Sequence, residues 1–232
     1  MGLFSPEEWQ IVALSLRVSG VAILLALPPA FALAWLLARG RFPGKVLLDA
    51  LVHLPLVLPP VVTGWMLLLA FGANGPAGRF FAETLGLTFM FRWTGAALAA
   101  AVMALPLMVR AMRLSIEAVD RRLEGAARTL GAGPWRTFFT VTLPLTMPGV
   151  LAGLVLGFAR SIGEFGATIT FVSNIPGETQ TLPLAIYAAL QVPGGEAAVT
   201  RLAVISVLLS LAALVASEIL ARRSGRGPGH VL

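Results

Sequence analysis

Few groups in this chain can do chemistry, and the most telling ones sit where charge is costly. Arg160 and Glu164 lie four residues apart in an apolar stretch, accompanied by Ser161 and Thr168, with Gly163 and Gly166 loosening any helix there. Helical spacing puts the two charges on one face. An ionisable residue inside a membrane-grade segment marks function by default, whereas a mutually neutralising pair also suits a purely structural hold. A structural ion pair and a gate on a pathway both fit the spacing. More hydrogen-bonding side chains follow at Thr170, Ser173 and Asn174, and Thr63 lies in an earlier apolar segment. Enzymatic chemistry has no footing: no nucleophile–base pair is visible, His53 and His230 lie far apart, and the absence of cysteine excludes disulfides and thiolate metal sites.

Composition dictates which elements must position these groups. Of 232 residues, 57% are hydrophobic and 12% charged, and the mean hydropathy is +0.87. Such a chain reads as an all-α polytopic membrane protein, a single domain over 1–232 with no repeat or second domain. Residues 1–10 carry Glu7 and Glu8 but no Lys or Arg, and the apolar run behind them is too long for a signal peptide, so it should remain as a span. Five spans are expected, over about 11–38, 46–71, 93–109, 145–167 and 202–221. The first reaches about 42 Å, so it is tilted, bent or projecting. It contains Pro28-Pro29, and Arg17, which can snorkel toward headgroups.

The second span holds LPLVLPP at 54–60. Its prolines open the backbone ladder, which a membrane tolerates only against protein or a water-lined cavity; a packing kink and a pathway lining fit equally. Residues 72–92 read as a polar, glycine-rich connection. The fourth span carries Gly149, Gly153 and Gly157, a repeated G-x-x-x-G that lets two helices approach closely. Its partner could lie inside this chain, the preferred reading, or in another subunit. Residues 173–183 form a turn-rich loop, and 184–190 are apolar but too short to span, hence re-entrant or interfacial.

The net charge of +6 could suggest nucleic acid, but topology explains it better. Of 17 basic residues, 12 fall in the turn at 39–45, the segment 110–136 and the C-terminal tail, all on one side if the spans alternate. Only Arg79, Arg92 and Arg201 fall on the other. The positive-inside rule then puts the N-terminus outside and the C-terminus in the cytoplasm.

Segment 117–144 lies between two spans on the basic side. Val119, Leu123, Ala126, Ala127 and Leu130 form an apolar helical stripe, with Asp120, Arg121, Glu124 and Arg128 on the other faces. Glu124 and Arg128 could pair at i,i+4, worth about 0.2–0.5 kcal/mol. Gly131, Ala132 and Gly133 stop the helix, and Pro134 can open a second one with Trp135, Phe138 and Phe139 on one side. Two short helices joined by a bend make a knob that needs a socket; the plain alternative is a solvated amphipathic surface helix.

This knob resembles the EAA loop of type I ABC importer permeases. The family pattern is E-A-A, three residues, G, nine residues, an aliphatic residue, one more, then L-P. Gly125, Ala126, Ala127, Gly131, Val141, Leu143 and Pro144 keep that spacing. Gly125 stands where the family usually has Glu, and Glu124 is next to it. The stretch 163–187, the RFPGK turn and LPLVLPP extend the likeness across the chain, and are similar to the permeases of molybdate importers. The resemblance implies a type I ABC importer transmembrane fold and a homodimer in the bacterial cytoplasmic (inner) membrane. It also implies two cytoplasmic ATPase subunits and a periplasmic or extracellular molybdate-binding protein, with membrane lipid around the chain and no nucleic acid.

ATP and Mg belong to the partner ATPase on this reading. No G-x-x-x-x-G-K-[ST] occurs in the chain, so it is a transport subunit that binds no cofactor and performs no catalysis of its own. Glu124, Gly125, Ala126, Ala127, Gly131, Trp135, Phe138, Leu143 and Pro144 would form the ATPase-coupling loop. Trp135 and Phe138 would be buried in the cleft, and Glu124 and Arg128 would sit at its polar rim. An oxyanion needs donors that do not hold it tightly, which suits Thr63, Ser161, Thr168, Thr170, Ser173 and Asn174, with Arg160 and Glu164 as pair or gate. Sulfate, thiosulfate or tungstate are the alternative cargoes. A stand-alone secondary transporter or channel is the alternative of another class, but it lacks coupling acids beyond Glu164 and shows no inverted repeat.

Overall fold

Ser5 starts the first helix by a reciprocal cap: the Glu8 N–H donates to Ser5 Oγ (3.2 Å) and the Ser5 N–H to Glu8 Oε2 (2.8 Å). In this computed structural model, which describes residues 5–224, helix α1 spans Pro6–Arg39, so it begins five residues before the expected span and continues through Pro28 and Pro29. Three more helical stretches have the length and apolarity to cross a membrane: α5 (Trp93–Ala118), the continuous run Pro134–Ile162, and α11 (Glu196–Ser224). The run Pro134–Ile162 contains α7 (Pro134–Thr137) and α8 (Leu143–Ile162), and between the long stretches stand the shorter helices α2 (Lys45–Val57), α3 (Pro60–Phe71), α4 (Pro76–Leu85), α6 (Arg121–Thr129), α9 (Gly166–Val172) and α10 (Leu182–Leu190). The architecture is all-helical among the described residues. The end of the basic tail, with Arg226 and His230, lies outside them.

Small side chains decide the packing. Ala22, Ala26, Ala30 and Ala34 of α1 are fully buried in one core with Ala96, Ala100 and Ala104 of α5. Four-residue spacing makes each set a flat strip, which is how helices approach closely without a hydrophobic drive in lipid. The G-x-x-x-G strip of α8 also finds its partner inside the chain. A Cβ on Gly149 would overlap the Ser115 side chain of α5, and one on Gly153 would meet Met112 Cε at 3.0 Å. Arg17 lies 3.8 Å above the Trp93 ring at the start of α5.

Two expected spans are broken. α2 and α3 meet at 115°, so 46–71 does not form one straight crossing. Leu58 and Pro59 each precede a proline and are extended, with ψ of 143° and 133°, because the following ring excludes the helical region. The helix expected over 145–167 ends at Ile162, and α9 starts only at Gly166. The two short pieces beyond these breaks pack together: a Cβ on Gly64 would come within 2.9 Å of Thr170 Cβ, and one on Gly166 within 2.7 Å of Pro60. The connection 72–92 is not all loop, since Pro76 opens α4 and Gly86, left-handed at φ 65°, closes it.

Candidate functional site

The knob is built from α6, α7 and the turn that leads into α8. Asp120 caps α6 by accepting from the Arg122 N–H (2.8 Å). Gly131, at φ 85°, ends it in a Schellman turn: the Ala132 N–H donates to Ala127 O and the Gly131 N–H to Arg128 O, both at 3.0 Å. The second half differs from the expected short helix. α7 passes through a π turn (Phe138–Thr142) into α8 without a break, so Pro134–Ile162 is one helical run of 29 residues. Leu143 and Pro144 lie where the knob becomes the membrane-grade helix.

The faces also differ from expectation. Glu124 does not pair with Arg128. Its Oε1 accepts from Arg39 Nη2 and from Thr142 Oγ1, both at 2.9 Å. Phe138 likewise turns inward, edge-on to Trp35 (5.3 Å between centroids) and Phe31 (6.2 Å) of α1. Trp135 stacks instead on Phe139 and faces out. Leu130 is 89% and Trp135 76% exposed, and Leu123 and Phe139 accompany them. Ala126 is exposed and Ala127 half-buried. Gly125 points to open space, with nothing within 4 Å of a Cβ built there. Sequence reasoning missed Phe31, Trp35, Arg39 and Thr142 as parts of this unit. The repeat of 31, 35 and 39 at one helical face was the available signal.

The second constellation is the joint between α8 and α9. Arg160 Nη1 lies 2.7 Å from Glu164 Oε2, and the Ala167 N–H donates to Glu164 Oε1 (2.9 Å). The Glu164 side chain is only 2% exposed. One carboxylate thus neutralises a guanidinium and caps the backbone where the helix restarts. Thr63, Ser161 and Thr168 are buried nearby in sequence or packing, and the Thr63 and Ser161 hydroxyls find no partner among the described residues. Thr170 donates back to Gly166 O (2.9 Å).

Ser173 and Asn174 belong to a separate unit. Ser173 is exposed at φ 62°, Thr179 Oγ1 donates to its carbonyl (2.9 Å), and Asn174 Nδ2 donates to Leu184 O (3.5 Å). Among the described residues, no hydrogen bond links either of them to Arg160 or Glu164. The expected pathway set is therefore two groups. Ser15 is a further missed residue: its Oγ accepts from the Leu182 N–H (2.7 Å) and ties α10 to α1.

Residues 30–226 match the family described as the binding-protein-dependent transport system inner membrane component. The chain belongs to this family. Within it, the chain is 59% identical over 228 residues to the molybdenum transport system permease protein ModB of Escherichia coli (strain K12), covering 98% of this chain and 100% of that one. It is 57% identical to ModB of Haemophilus influenzae over 97% of this chain and 99% of that one. The sulfate transport system permease protein CysT of Escherichia coli (strain K12) is 39% identical, over 84% of this chain and 69% of that one. The fold matches a bacterial alginate ABC transporter (TM-score 0.74, 18% identity, 96% of this chain and 81% of that one). It also matches the methionine transporter MetNI (TM-score 0.65, 16% identity, 94% of each chain). This is the type I ABC importer permease fold, and the chain is a multi-pass membrane transport subunit.

Proposed function

We propose that this chain is the transmembrane subunit of an ATP-driven molybdate importer in the bacterial inner membrane. The carrying observation is the near-full-length identity of 59% and 57% to molybdenum permeases, against 39% to a sulfate permease. Two copies form the membrane unit, a periplasmic binding protein delivers the oxyanion, and two ATPase subunits holding ATP and Mg drive it from the cytoplasm. The uneven distribution of Lys and Arg supports an outer N-terminus and a cytoplasmic knob. The exposed Leu123, Leu130, Trp135 and Phe139 form the face that enters the ATPase cleft, and Gly131 sets its angle. The π turn carries that motion straight into α8.

Cargo passes where backbone and hydroxyl donors are free of strong charge, along Thr63, Ser161, Thr168 and Thr170, with Ser173 and Asn174 on the outer side. Arg160 and Glu164 hold the broken helix at that level. Weak, numerous donors release a dianion that a cluster of arginines would retain. The test is uptake of labelled molybdate into vesicles containing this chain, its partner ATPase and ATP, with the binding protein supplied. Uptake that resists excess sulfate is expected. Uptake abolished by sulfate would make the cargo sulfate, and uptake without ATPase or ATP would end the importer reading.

A further inference from the structure

We infer that Arg39 and Glu124 form a latch that makes the end of α1 part of the coupling element, so that the knob and α1 move as one body. The inference rests on the importer reading. Family spacing draws attention to the knob alone, but its inner face belongs to α1. Phe31, Trp35 and Arg39 repeat every four residues and present one stripe to the knob. Phe138 packs on the first two, and Glu124 takes the third.

The Glu124 oxygen that meets Arg39 also receives the Thr142 hydroxyl. One atom therefore joins three elements: the last residue of α1, the middle of α6, and the π turn that enters α8. The two side chains are 14% and 15% exposed, so most competing water is excluded and the bonds are charge-assisted. A pair held this way resists separation far better than an exposed one. Glu124 is thus not free for the ATPase. It is a positioning residue that acts through Arg39, while the opposite face, with Leu130 and Trp135, is left for the partner.

Above the stripe, Pro28 and Pro29 interrupt the hydrogen-bond ladder of α1. Beyond these prolines Ala30 and Ala34 are buried in the same core as Ala22 and Ala26, so the last stretch of α1 ties the knob to α5. A pull on the knob then reaches the bundle along α8 and α1 together.

The chain has no native cysteine, so Arg39→Cys/Glu124→Cys creates the only thiol pair in each copy of this chain, which a short bismaleimide can bridge. The complete transporter in vesicles is compared before and after bridging, with transport and ATP hydrolysis measured together. Before bridging, molybdate moved per ATP should fall about tenfold; after bridging it should return toward the wild-type ratio, because a covalent link replaces the latch. Arg39→Gln should lose the same ratio while the ATPase still co-purifies. An unchanged ratio in Arg39→Gln, or transport stopped by the bridge, would overturn the latch. Wild-type vesicles without ATP-dependent uptake would instead refute the importer reading.

Discussion

Glu124 and Gly125 are neighbours on α6 with opposite surroundings, and the difference explains how this loop departs from its family pattern. Gly125 faces open space, so nothing in the fold forbids a larger residue there; the carboxylate that holds the loop is one position earlier, on Arg39. Arg160 and Glu164 are a stricter case. Removing a partner strands a charge, and Glu164 is the buried member. Arg160→Gln should therefore destabilise the protein by about 2 kcal/mol, below the usual figure for a fully buried pair because Arg160 is partly exposed. Thermal melting of the detergent-purified chain checks this, and a stable but transport-dead variant would assign the pair to gating instead. Spacing made the pair legible; only the folded chain revealed that Glu164 also caps α9.

At the scale of elements, the decisive feature is continuity between α7 and α8. Two prolines, Pro134 and Pro144, suggest two separate helices; Pro134 sits in a first turn, where a missing N–H costs nothing, whereas Pro144 lies inside the continuous run, directly after the π turn. The π turn absorbs the change of register. Gly131 is the complementary break, left-handed with empty space around it. A β-branched side chain there meets backbone strain rather than a clash, costing about 1–3 kcal/mol locally. Gly131→Val should insert normally but lose transport relative to ATP hydrolysis. Equal losses of both, or of neither, would remove the glycine from the coupling role.

For the whole molecule, orientation is the property on which every directional statement depends. The proposed orientation, argued from the uneven distribution of Lys and Arg, has the knob inside and the 173–181 loop outside. Because the chain contains no cysteine, Leu130→Cys and Pro176→Cys can each be labelled alone, and both positions are exposed. A membrane-impermeant maleimide added to intact spheroplasts should reach residue 176 and miss residue 130. The opposite pattern would invert the import direction along with the topology.

Sequence alone determined the all-helical membrane class, because apolar length and glycine–proline punctuation are local quantities; of the five expected spans, one became a pair of helices bent by 115°. The sequence also contained the partner-seeking G-x-x-x-G strip, but not which helix it meets. Tertiary structure decided that α5 receives that strip, that α3 and α9 pack beyond two helix breaks, and that Glu124 and Phe138 turn inward to α1. Each of these joins residues far apart in the chain, where the energy depends on which surfaces meet in space. The spacing of 31, 35 and 39 is visible in one helix; the knob that covers it comes from eighty-five residues further on.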